Sequence, residues 1–114
     1  MVAGETRFPF QELDVYKVAL AFTVAVREAG IRHSELHDQA MRSSISAFLT
    51  LAEGLPNKGA GMRRKYFTKS NNSLHETIAA VDLAFALGLI DPAQASRIQE
   101  PGLRLRKMLY ALRT

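Results

Sequence analysis

Cysteine is absent from this 114-residue chain, and so is tryptophan. Without thiols there is no disulfide, no thiolate zinc site and no cysteine nucleophile. A reducing compartment such as the cytoplasm fits that absence. No apolar run is long enough to span a bilayer. Residues 1–10 are short, polar and carry Glu5, which is not the pattern of a signal peptide. Signatures of catalysis are missing as well. No G-x-S-x-G occurs, and Gly59-Ala60-Gly61 lacks both the G-K-[ST] ending and the preceding strand of a phosphate loop. The E-x-x-H pairs of di-iron bundles do not occur. His33 and His37 stand four apart, but Glu35 sits at the wrong place for H-E-x-x-H, and His75 is isolated. The expectation is a protein that is not an enzyme and has no cofactor and no metal site.

Apolar residues make up 47% of the chain, enough for a core in one domain of this size. The net charge of +4 is unevenly spread. Residues 1–57 carry five Lys or Arg against seven acids; residues 58–114 carry ten against four. Positive charge gathered in one half points to a polyanionic partner.

Helical periodicity runs through the chain, and no strand alternation competes with it. Residues 1–9 read as an extended lead-in, because Pro9 disfavours helix at Phe8. A first helix is predicted from about residue 10 or 11 to Ala29, with Gly30 as its stop. Leu13, Tyr16, Leu20 and Thr23 lie on one of its stripes, and Val15, Ala19, Phe22 and Val26 on another, with Val18 and Val24 between them. A helix apolar over so much of its girth needs cover beyond its own core. That predicts a homo-oligomer with an interface on Val15, Val18, Phe22 and Val26. Ser34 is the expected N-cap of a second helix reaching about Leu55, with Met41, Ile45, Phe48, Ala52 and Leu55 as its core stripe. Residues 56–61 form the next turn. A third helix follows from about Met62 to Leu87, continuous through Ser70-Asn71-Asn72-Ser73, with Gly88 as its terminator. Asp91-Pro92 starts a fourth, running to about Leu112 and kinked or broken near Pro101. Four helices of about 20 residues with short connections make an all-α, antiparallel, up-down-up-down four-helix bundle in a single domain.

Folding the third helix back on the second brings Arg42 level with Glu76, and Glu53 level with Arg63 and Arg64. Two cross-helix ion pairs are expected there, because a charge at the edge of an apolar stripe needs a partner. Cations cluster in two groups: Lys58, Arg63, Arg64, Lys65 and Lys69, then Arg104, Arg106, Lys107 and Arg113. An up-down bundle puts both groups, and Arg7, at one pole. Such a pole attracts phosphate backbones with steep salt dependence. Tyr66, Phe67 and Tyr110 are interleaved with these cations and have the chemistry to stack on bases, although aromatics at helical spacing more often fill a core.

Several short stretches, in order, resemble those of the 23S rRNA intervening-sequence protein family, which also includes the accessory protein of diversity-generating retroelements. Leu13-Asp14-Val15-Tyr16 with Ala19 resembles the family's opening L-x-V-W/Y-x-x-A. Gln39-x-x-Arg42-x-Ser44-Ile45 followed by Ala52-Glu53-Gly54 resembles its Q-x-x-R-A-A-x-S-I-x-x-N-I-A-E-G. Phe67, Ser73 and Glu76 match its third-helix aromatic, small and acidic positions, and Leu87-Gly88-Leu89-Ile90 resembles its L-G-x-I helix end. Departures are Thr50-Leu51 in place of N-I, serines for the alanines after Arg42, and Pro101-Gly102 within the fourth helix. The resemblance implies a four-helix bundle assembled as a homopentamer, with a basic surface and a loose association with nucleic acid. The function expected is therefore a scaffold that binds RNA or DNA mainly through phosphates. The alternative is a module docking its charged pole on an acidic protein surface.

Overall fold

A computed structural model describes residues 7–113. A 3-10 helix, Pro9–Glu12, leads into four α-helices: α1 (Asp14–Ala29), α2 (Ser34–Gly54), α3 (Ala60–Ala86) and α4 (Pro92–Arg113). No strand occurs among the described residues. Helix α1 packs on α2 and α4, and α3 packs on the same two, so the helices close a bundle. Most of the expected lead-in lies outside the described residues. Pro9, expected to be extended, opens the 3-10 helix instead, and Gln11 Oε1 accepts the Phe8 N–H at 2.9 Å.

Local chemistry explains the helix ends. Gly30 and Gly88 take left-handed φ values of 56° and 73°, which a side chain would resist. The cap of α2 is His33 rather than Ser34: its Nδ1 accepts the Leu36 N–H at 3.2 Å. At the start of α4, Asp91 Oδ1 accepts the Gln94 N–H at 2.8 Å, and Gln94 Oε1 accepts the Asp91 N–H at 2.9 Å. This reciprocal box satisfies two helix-end donors. Gln94 Nε2 also donates to the Ala29 carbonyl at 3.1 Å, tying the start of α4 to the end of α1. Helix α3 is continuous through Ser70-Asn71-Asn72-Ser73. No break occurs in α4, which carries Pro101 inside it. Ile98, Gly102, Leu105 and Leu109 are buried on either side of that proline, and this shared burial offsets the backbone bond that proline removes.

The core of α2 differs from the expected stripe. Its buried side chains are Ala40, Ser43, Ser44, Ala47, Thr50, Leu51 and Gly54, with Leu55 just beyond. Met41, Phe48 and Ala52 are only half-buried, and Ile45 is exposed. Small side chains let α3 come close, and hydroxyls line the contact. Ser43 Oγ lies 2.7 Å from Thr77 Oγ1, Ser46 Oγ lies 2.9 Å from Ser73 Oγ, and Ser70 Oγ donates to the Ala47 carbonyl at 2.6 Å. Partners descend along α3 as residues ascend along α2. Buried hydroxyls cost little here because each has a partner.

The expected oligomer interface is also corrected. Val15, Val18, Phe22 and Val26 are buried at 8%, 6%, 0% and 0% exposure within the protomer's own core. They face α4 and the bundle interior, where Gly102 leaves room for the Phe22 ring. The outward apolar residues of α1 are Leu13 and Val24, with Leu20 half-buried.

Gly54 closes the seam. A Cβ at this position would meet Phe67 Cε1 at 2.7 Å and Tyr66 Cβ at 2.9 Å, and Tyr66 Cβ is fixed to the backbone. Gly61, also helical, has nothing within 4 Å of such a Cβ. Gly54→Ala should therefore lower unfolding free energy by about 1–3 kcal/mol through overpacking, outweighing a helix-propensity gain of about 1 kcal/mol. Gly61→Ala should raise it by about 0.5–1 kcal/mol. Denaturant titrations ranking the two variants the other way would contradict the close seam.

Candidate nucleic-acid interface

Four helices distribute the cations over four separate surfaces. Arg106, Lys107 and Arg113 of α4 line an open groove against Asn71 and His75 of α3, with Tyr110 on its rim. The groove has a volume of about 470 Å³, and no acid among the described residues lines it. Lys69 belongs to a second hollow, between α2 and α3, together with Arg42 and Glu76. Arg104 lies in a third, between α1 and α4, beside Asp14 and Lys17. Lys58, Arg64 and Lys65 are exposed near the turn between α2 and α3.

Arg63 has a different task from the one its neighbours suggest. Its Nη1 donates to the carbonyls of Leu55 at 2.8 Å, Asn57 at 3.2 Å and Gly54 at 3.3 Å. Gly54 and Leu55 end α2 and Asn57 lies in the turn beyond it, where carbonyls have run out of helical partners. A guanidinium also favours the negative end of the helix dipole. The guanidinium also lies over the Phe67 ring, with Cζ 5.0 Å from the centroid. Arg63 is thus a structural clamp, with its Nη1 committed to the backbone.

The expected cross-helix ion pairs do not form. Among the described residues the ion pairs are those of Glu12, with Arg7 at 2.8 Å and Lys17 at 3.8 Å. Arg42 and Glu76 share a hollow without closing to ion-pair distance. Glu53 is exposed and does not pair with Arg63 or Arg64. The seam is held by hydroxyls, so neither Arg42 nor Glu76 is buried enough to require its partner. Arg7 has its charge offset by Glu12 and adds little to a cationic pole.

Of the interleaved aromatics, Phe67 is fully buried and Tyr66 half-buried, whereas Tyr110 is 66% exposed. The Arg113 guanidinium lies over the Tyr110 ring, 5.9 Å from its centroid. Asn71 and His75 were not expected in a site. Their signal is spacing: they stand four apart on the face of α3 turned toward α4, where Arg106, Tyr110 and Arg113 also recur at four and three.

The chain is thus an all-α four-helix bundle with a cation-lined groove between its last two helices. Its sequence matches the model of the 23S rRNA-intervening sequence protein family over residues 11–111, and the chain belongs to that family. No curated protein matches it significantly. None of the helices is long and apolar enough to cross a membrane.

Replacing Arg63 tests the clamp. Arg63→Gln should cost about 1.5–3 kcal/mol, the range for hydrogen bonds to a charged group. Lys65→Gln, two residues on and exposed, should stay within about 0.5 kcal/mol. Equal urea midpoints for the two variants would remove the clamp.

Proposed function

We propose that this protein is a non-catalytic, homo-oligomeric scaffold that binds nucleic acid, RNA by preference, mainly through phosphate contacts. One observation carries the reading. Exposed Lys58, Arg64, Lys65, Lys69, Arg104, Arg106 and Lys107 make no ion pair among the described residues, so their charge remains available to a polyanion. The family's name, which ties it to a 23S rRNA intervening sequence, supports RNA as the class. In this reading the helices alternate in direction, and α4 bends at Pro101. Contacts of α1 with α4 descend in the same way as those of α2 with α3: Ala29 meets Gln94, and Phe22 meets Gly102.

Self-association uses a face other than the one the sequence suggests. Leu13 and Val24 on α1 and Ile45 and Leu49 on α2 are exposed. Tyr16 and Phe48 bridge the two helices beneath them, with ring centroids 5.1 Å apart. An apolar face of this kind is covered by sister chains in a ring, which the family resemblance puts at five. Assembly multiplies each protomer's cations around one particle and strengthens phosphate binding.

Affinity for RNA should fall by orders of magnitude between about 50 and 200 mM salt. The combined variant Arg64→Glu, Lys65→Glu and Lys69→Glu should flatten the log–log slope by roughly 0.7–0.9 for each phosphate that is no longer neutralised. A slope unchanged by the three substitutions would place binding elsewhere. Tight binding that ignores salt would point to another kind of partner. For assembly, Val24→Asp with Ile45→Asp should convert the oligomer to folded protomers in sedimentation equilibrium. A native chain that sediments as a protomer would end that part of the reading.

A further inference from the structure

The groove between α3 and α4 contains more than phosphate binding requires. A duplex backbone needs only surface cations, as in the α3 group. Here three cations surround a concavity of about 470 Å³ that also presents an exposed aromatic ring and neutral polar groups. Its size falls within the range of small-ligand pockets, about 300–1,000 Å³.

We infer that this groove seats one unpaired nucleotide of a single-stranded nucleic acid, with Tyr110 stacking on the base and Arg106, Lys107 and Arg113 holding the flanking phosphates. The inference rests on the nucleic-acid reading above and adds strand type and location to it. Tyr110 is 66% exposed in a groove wall that carries no acid among the described residues. A phenol ring so placed offers a face to any base, and stacking of this kind does not depend on sequence. The Arg113 guanidinium over the same ring extends the stacking surface and supplies charge beside it.

Polar groups for the base edge lie opposite. His75 Nδ1 is 2.8 Å from the Asn71 backbone carbonyl. A carbonyl only accepts, so Nδ1 carries a proton in this contact and Nε2 is the ring nitrogen left for a base edge. The Asn71 side-chain amide has both a donor and an acceptor. Further along α3 and α4, Leu74, Ile78, Gln99, Gly102 and Leu103 line a mostly apolar recess of about 90 Å³ that shares His75 and Arg106 with the main groove. That recess suits the edge of a base or a sugar. A paired base cannot reach it, because duplex stacking holds its faces.

The test compares a fluorescein-labelled oligouridylate with a duplex RNA of matched length, both titrated with the full chain at one fixed low salt. The native chain should bind the single strand more tightly. Tyr110→Ala should weaken the single strand by about tenfold or more and leave the duplex unchanged. Tyr110→Phe, which keeps the ring, should bind like the native chain. Arg106→Gln with Lys107→Gln should weaken both probes. If Tyr110→Ala binds the single strand as the native chain does, or loses both probes equally, the stacking seat is overturned while salt-dependent phosphate binding stands. If the native chain binds neither probe, the nucleic-acid reading falls and takes this inference with it. Circular dichroism identifies any variant that fails to fold; Tyr110 is exposed, and alanine is the better helix former.

Discussion

The hydroxyl-lined contact between α2 and α3 governs how the bundle is assembled. Ser43 with Thr77, Ser46 with Ser73 and Ser70 with the Ala47 carbonyl are hydrogen bonds of 2.6–2.9 Å that only closely spaced helices make. Alanines and Gly54 remove the bulk that would hold the helices apart. With that side of α2 turned inward, Leu51 and Leu55 are its large apolar side chains in the core, and Met41, Ile45, Phe48 and Leu49 fall at the edge or outside. Ile45 and Leu49 are exposed for this reason, and an apolar face appears on the outside of the protomer. The same contact sets α3 so that Asn71 and His75 face α4, opening the cationic groove.

The seam ends on a second device. Gly54 admits the Phe67 ring, and Arg63, stacked on that ring, gathers the last carbonyls of α2. One cation is withdrawn from the surface by this arrangement. Its neighbours Arg64 and Lys65 keep their charge in solvent, so a run of three basic residues divides into one structural member and two available ones. Charge runs of this kind resist interpretation from composition alone, because the distinction lies in a backbone turn that composition does not describe.

What was legible in the sequence was local. Gly30, Gly88 and the Asp91-Pro92 start mark helix ends through backbone conformation and capping, which depend on immediate neighbours. The four helices and the continuity of α3 follow from periodicity. The inward face of α2 was not legible, because apolar periodicity weights large side chains. Here the larger stripe is the outer one, and satisfied hydroxyls replace hydrocarbon in the core. The same bias assigned Val15, Val18, Phe22 and Val26 to an interface, although they serve the core of the protomer. In the site, the cations were legible as residue types but not as four separate surfaces. Tyr110 was grouped with Tyr66 and Phe67 as aromatics that more often fill a core, and it is exposed where Phe67 is buried. The expected pairing of Arg42 with Glu76 assumed that the seam needed charge, whereas hydroxyls were sufficient.

The central claim is that the small side of α2 is its buried side, and two alanines on opposite sides of that helix test it. Ala47 is 1% exposed in the seam, and Ala52 is half-buried at the outer edge. Chemical denaturation of Ala47→Leu and Ala52→Leu compares them directly. The account gives a loss of about 1–3 kcal/mol or more at position 47, where a larger side chain overpacks the seam, and a change below about 1 kcal/mol at position 52. A native-like midpoint for Ala47→Leu alongside a severe loss for Ala52→Leu would contradict it and restore the large-residue stripe to the core.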